Sequence, residues 1–186
     1  ATFGVRYAPG EAFVNTKQRR IPVSLDAPIF TLSHTIGFKG LLGGDYNFNL
    51  TEASMRKRFW FGSWGKLDIT ARAGAQWNTV PFPLLNLPFA NQSYITQNNE
   101  SFSLINNMEF LNDRYASLDI TAELNGVLLN RIPLLKRLNW REVFGVNLLY
   151  GGLSDKNNPY ANPGDGDLFL FPERDGRVTS FIMDAD

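Results

Sequence analysis

The chain has 186 residues with no cysteine, and its 18 Lys plus Arg balance 18 Asp plus Glu, for a formal charge of zero. Balanced charge removes any bulk electrostatic argument for nucleic acid or an anionic membrane surface, and the missing cysteine excludes disulfides and thiolate chemistry. Aromatics reach 13% while charged residues are only 19%, and no run of about 18 apolar residues offers a membrane-crossing helix.

Taken in chain order, the predicted elements are strands of period two. "TFGVRY" (2–7) puts Phe3, Val5 and Tyr7 on one face. "IFTLSHTIGF" (29–38) puts Phe30, Leu32, His34, Ile36 and Phe38 together, opposite Thr31, Ser33 and Thr35. "DYNFNLTEASMRKRF" (45–59) begins with Tyr46, Phe48 and Leu50 on one face, whereas Ala53, Met55 and Phe59 have the opposite parity. A bulge near Thr51–Ala53 is the expected reconciliation. "KLDITARAGAQW" (66–77) is the most regular stretch: Leu67, Ile69, Ala71, Ala73, Ala75 and Trp77 alternate with Lys66, Asp68, Thr70, Arg72, Gly74 and Gln76. "SFSLINNMEFL" (101–111) follows. Then "YASLDITAELNG" (115–126) sets Ala116, Leu118, Ile120, Ala122 and Leu124 against Ser117, Asp119, Thr121 and Glu123. "WREVFGVNLLYG" (140–151) closes the series.

These segments predict an all-β fold, an antiparallel meander of about seven strands. Many run longer than the usual five or six residues, a length suited to tilted strands of about 9–11 residues that cross a bilayer. "GSWG" (62–65) and "NDR" (112–114) read as tight turns. "NTVPFPLLNLPFANQSYITQNNE" (78–100) should leave the sheet, because Pro81, Pro83 and Pro88 cannot sustain a ladder. Its Phe82, Leu84, Leu85, Leu87 and Phe89 are too apolar to lie free in water. They are expected to fold inward as a plug, or else to pack on a preceding domain.

Three features favour an outward apolar face. Aromatics collect near strand ends (Tyr46, Trp60, Trp64, Trp77, Tyr115, Trp140 and Tyr150), as in the girdles of membrane barrels. The apolar faces contain many small residues, which fit lipid better than a dense core. Asp68, Arg72, Asp119 and Glu123 share the parity of a solvated interior. On this reading Leu67, Ile69, Ala71, Ala73, Ala75, Leu118, Ile120 and Ala122 face lipid.

Catalytic constellations are missing from the sequence. His34 is the sole histidine and lies on an apolar face as a structural residue. There is no Gly-x-Ser-x-Gly elbow and no phosphate loop in "GFKGLLGGD". Asp165 and Asp167 in "NPGDGD" fail the spacing of a helix–loop–helix calcium site. Asp119 and Glu123 would lie about 13 Å apart along one strand, too far for glycoside hydrolysis. The chain is therefore read as non-enzymatic, without cofactor or metal. "NRIPLLKRLNWR" (130–141) is a basic-aromatic connection that suits lipid headgroups, a partner or an ordinary turn.

Several segments resemble the barrel region of a family of Bacteroidetes outer-membrane proteins that place a carboxypeptidase-regulatory-like domain ahead of the barrel. They are "TKQRRIPV" (16–23), "GLLGGDYNFNLTEASMRKRFW" (40–60), "GAQWNTVPFPLL" (74–85), "LINNMEFLNDRYASLDI" (104–120), "LNRIPLLKRLNWREV" (129–143) and "LSDKNNPY" (153–160). The family is more distantly similar to surface-antigen barrels that assemble or translocate outer-membrane proteins. The resemblance implies that residues 1–186 are one incomplete segment of a transmembrane β-barrel, with the N-terminal domain and closing strands lying elsewhere. The C-terminal "RVTSFIMDAD" is unlike a closing strand. The resemblance further implies a bacterial outer-membrane location and a structural, transport or assembly role. Membrane lipid is the expected partner, with other outer-membrane or periplasmic proteins as further candidates and no nucleic acid. The alternative is a soluble β-sandwich or small barrel that binds a glycan or lipid.

Overall fold

The structure is a computed structural model. It describes residues 1–24, 26–40, 43–89, 101–105, 110–158 and 181–185, with 181–185 and Phe82 described by backbone alone. Among the described residues nine strands form: β1 (Thr2–Tyr7), β2 (Phe13–Asn15), β3 (Arg20–Pro22), β4 (Ile29–Gly37), β5 (Phe48–Trp60), β6 (Gly65–Gln76), β7 (Arg114–Leu124), β8 (Glu142–Gly152) and β9 (Phe181–Ala185). Seven of them make one sheet in the order β1-β4-β5-β6-β7-β8-β9, while β2 and β3 form a separate hairpin inserted between β1 and β4. Every pairing in the large sheet is antiparallel. Among the described residues the sheet is open, with β1 and β9 at its edges, and there is no α-helix, only short 3-10 turns.

The register corrects the expectation of a bulge. β5 pairs with β4 without interruption from Ile29↔Arg56 to Gly37↔Phe48, and with β6 from Leu50↔Gln76 to Trp60↔Lys66. Alternation is therefore regular through Thr51–Ala53. Phe48 and Leu50 simply have the parity of the polar face, and Phe48 is apolar because it packs on a buried cluster of Val80, Leu85 and Leu153.

Three further expectations are revised. Residues 101–111 contribute no strand among the described residues, and β6 pairs directly with β7. Ser101, Phe102 and Ile105 are all buried, a spacing that strand alternation does not produce. Residues 101–105 are a packed part of the long β6–β7 connection. "NDR" is not a solvated turn, because Asn112 and Asp113 are buried. Finally, the C-terminal stretch does contain a strand: β9 extends the sheet from Tyr150↔Phe181 to Val146↔Ala185.

Candidate functional site

Residues directly opposite in an antiparallel ladder share a face, so the register sorts the sheet into two surfaces. One runs without a break from β1 to β8. Its rows include Val5, Leu32, Ala53, Ala73, Ala116 and Tyr150, and beside them Met55, Ala71, Leu118 and Leu148. Leu67, Ile69, Ala75, Ile120 and Ala122 lie on this same surface. No loop among the described residues covers it. Val5 is 68% exposed, and Phe3, Tyr7, Leu32, Phe144 and Tyr150 are also exposed. Over the small residues Ala53, Ala71, Ala73 and Ala116 the surface dips into a groove of about 520 Å³, walled by Val5, Tyr7, Phe30, Leu32 and Met55. Tyr7 and Phe30 stack along one wall with centroids 6.4 Å apart.

The opposite surface carries the charges. Arg58 grips Asp68 with two hydrogen bonds of 2.6 and 2.8 Å. Lys66 reaches Glu123 at 2.9 Å, and Arg72 reaches Asp119 at 3.4 Å. The four residues Asp68, Arg72, Asp119 and Glu123 thus meet on one face, in cross-strand ion pairs with their neighbours. Tyr115 donates to Glu52 at 3.1 Å, and its ring lies over Gly74, where an added Cβ would run into it.

This polar surface is the one the chain covers. Asp119 is only 8% exposed, and Asn147 beside it is also buried. Asn147 Nδ2 donates to the Ser101 carbonyl at 3.4 Å. Phe102 and Ile105 bury Leu149, which has polar-face parity, with Phe110 packed alongside. Val80, Leu85 and Leu153 form a second cluster, and Val80 is 1% exposed.

A buried carboxylate ties these connections to the end of the sheet. Asp113 Oδ2 accepts from the Ser154 amide and from Asn157 Nδ2, each at 3.1 Å, and from the Ser154 hydroxyl. Its backbone joins β6 through Gln76 N to Asp113 O at 2.6 Å and β8 through Asp113 N to Gly152 O at 2.9 Å. Asn157 also accepts from the Val80 amide at 2.9 Å. Residues 78–85, 112–113 and 153–157 are one hydrogen-bonded unit.

Of the proposed plug residues, Leu85 is buried and Leu87 half-buried, whereas Leu84 is exposed and Phe89 is 76% exposed. The Phe82 side chain lies outside the description. The aromatics divide by position. Trp60, Trp64 and Trp140 stand exposed at one end of the sheet. Tyr46 and Trp77 lie at the other, towards which Tyr150 also sits. Tyr115 differs, sitting on the polar face beneath Glu52. His34 lies on the apolar face near a strand end, its Nδ1 2.8 Å from Thr51 Oγ1, which also accepts from Trp77 Nε1 at 2.8 Å. Among the described residues no cluster of three His, Cys, Asp or Glu is placed to hold a metal. The Asp165/Asp167 loop lies outside the described residues.

Sequence reasoning missed Arg58, Lys66 and Glu52, whose parity was available, and Asp113, whose burial had no sequence signal. It also missed Val80 and Leu149, which look like unexceptional apolar residues until the connections are seen to pack on the polar face.

The fold and its two faces define an all-β protein whose long antiparallel sheet is bare on its apolar side and, among the described residues, partly covered on its polar side. The chain belongs to the family described as "Family of unknown function (DUF5686) C-terminal domain", matched over residues 1–164. No curated protein and no solved structure matches it.

Proposed function

We propose that this chain is a segment of a transmembrane β-barrel of the bacterial outer membrane, non-enzymatic, with a structural, transport or assembly role there. The observation that carries the reading is the reversed sidedness of the sheet. A water-soluble sheet buries its apolar face and leaves charges in solvent. Here the row from Val5 to Tyr150 is bare, while Asp119, Asn147 and Leu149 are covered. Lipid is a favourable neighbour for the bare face, and a hydrated interior for the ion-paired one. Strands of 9 to 13 residues in β4 to β8 have the length a tilted crossing requires. An open edge at β1 and β9 would be closed by further strands of a complete barrel.

Within this reading residues 78–85, 101–105 and 153–157 fill part of the lumen, held by Asp113 and by the two apolar clusters. The groove over Ala53, Ala73 and Ala116 is then a seat for an acyl chain. The same groove favours one other reading, a soluble sheet that takes a lipid ligand. The experiment is outer-membrane fractionation of the native protein together with heat-modifiable gel migration. Recovery in the outer membrane with a heat-sensitive compact form is expected. Recovery in a soluble fraction would transfer the case to the ligand-binding reading.

A further inference from the structure

At the end of the sheet away from Asp113, the β7–β8 connection is built rather than loose. Gly126 holds φ at 76° beneath the Asn130 side chain, and Asn130 N donates to Gly126 O at 2.9 Å. Glu142, the first residue of β8, accepts from the Leu128 and Leu129 amides at 3.1 and 2.6 Å. The 3-10 turn Leu135–Leu138 ends on Asn139 in the left-handed conformation at φ 50°. Asn125 ties the connection to the β5–β6 turn through Trp64 O at 3.2 Å and Ser63 O at 3.5 Å.

This ordered ledge displays two kinds of side chain together. Leu134 is 80% exposed, and Leu128, Ile132, Leu138 and Trp140 are exposed beside it. Arg131, Lys136, Arg137 and Arg141 are interleaved with them, and no acidic residue occurs between 127 and 141. None of the four cations has an ion-pair partner among the described residues. The adjoining rim adds Lys57, 5.5 Å from the Phe59 ring, with Phe61 and Trp64 exposed at the turn. In a chain of zero net charge this is a local excess of cations on an apolar platform continuous with the bare sheet face through Phe144.

We infer that residues 126–141 form a binding surface for the phosphate groups of anionic membrane lipids, seated at the headgroup level of the bilayer. This rests on the membrane-barrel reading above. Exposed Leu, Ile and Trp side chains gain by entering the boundary between headgroups and acyl chains, and Lys and Arg at that depth extend their charged ends to the phosphates. Charge complementarity selects the anionic headgroup: the ledge displays four cations while its one adjoining carboxylate, Glu142, is buried against the Leu128 and Leu129 amides, and a negative lipid surface is its electrostatic counterpart. Nucleic acid would not account for five bare aliphatic and indole side chains on the same turn.

The test folds the full-length protein into vesicles of phosphatidylcholine alone and of phosphatidylcholine with phosphatidylglycerol. It compares the native sequence with a variant carrying Arg131→Gln, Lys136→Gln, Arg137→Gln and Arg141→Gln. Neutralisation is preferred to reversal because it leaves the Glu142 cap undisturbed. The native protein should associate with the anionic vesicles more tightly, and salt should erase the difference. The variant should lose most of that preference, up to about a thousandfold for four charges, while folding into phosphatidylcholine as the native protein does. The Trp140 contribution to fluorescence, taken as the difference between the native sequence and Trp140→Phe, should be quenched by lipids brominated near the headgroup. An undiminished anionic preference in the variant would overturn the inference, as would a Trp140 that shallow bromines leave unquenched. Failure of the native protein to insert into any vesicle would instead remove the barrel reading on which it rests. Salt-insensitive capture by a periplasmic protein, with no lipid preference, would reassign the ledge to a protein partner and also overturn it.

Discussion

Replacing Ile120 by arginine separates a lipid-facing sheet from one that faces water. Ile120 lies directly opposite Ile69 on β6 and Val146 on β8, in the middle of the bare apolar face. It is one residue from the midpoint of β7, Asp119, which is about 3.3 Å along the strand and about 2 Å of depth at a tilt near 45°. The guanidinium would therefore enter near the bilayer centre, where Arg on the lipid face of a barrel costs about 2–4 kcal/mol. That corresponds to about a 30- to 700-fold loss in the folding equilibrium. Ala73 sits farther from the midpoint of β6, about 8 Å along the strand. Ala73→Arg should accordingly cost less, about 1–2 kcal/mol. The contrasting change is Glu123→Ala on the ion-paired face, which removes the 2.9 Å contact to Lys66 from a carboxylate whose side chain is itself half-exposed and should cost about 1 kcal/mol or less. The assay is a urea titration of folding into phosphatidylcholine vesicles, read by heat-modifiable migration. A graded order of Ile120→Arg, Ala73→Arg and then Glu123→Ala is expected. If Ile120→Arg costs no more than about 0.5 kcal/mol, the range of ordinary exposed sites, the apolar face does not meet lipid and the reasoning is refuted.

Other outcomes follow from the same geometry. Gly74→Ala places a methyl against the Tyr115 ring and should destabilise by about 1–3 kcal/mol, with Tyr115→Ala relieving the clash in a double-mutant cycle. Asp113→Ala removes the acceptor shared by Ser154 and Asn157 and should cost at least about 2 kcal/mol, with faster amide exchange in 153–158. Deleting 82–89 should raise single-channel conductance of the full-length protein in a planar bilayer, and unchanged conductance would count against a lumen-filling connection. Arg6 donates two 2.7 Å hydrogen bonds to Glu11, which hold that carboxyl below the usual carboxylate range. A depressed carboxylate pKa contributes stability above its unfolded value and loses it as pH falls through the folded one. Protection factors against amide exchange in the described residues of 8–24, corrected for the intrinsic pH dependence of exchange, should therefore fall as pH drops below the carboxylate range, and Glu11→Gln should remove that dependence.

Period-two alternation was enough to place β1, β4, β5, β6, β7 and β8, because a strand's side chains choose faces by position alone. It also assigned Asp68, Arg72, Asp119 and Glu123 to one face, since parity is local information. Alternation does not say what covers a face, and that was decided by tertiary structure. "SFSLINNMEFL" alternates like a strand, yet Phe102 and Ile105 are drawn down onto Leu149. Phe48 suggested a bulge because its apolar partners, Val80, Leu85 and Leu153, lie up to about a hundred residues away in the chain. Asp113 looks like a turn residue, and it becomes an anchor only when β8 brings Ser154 and Asn157 within hydrogen-bond reach. The hairpin β2–β3 and the strand β9 carry too few alternating residues to be read alone, and they exist because a neighbouring strand supplies the ladder. The pattern of faces was thus written along the chain, whereas which face is bare depended on contacts between distant segments.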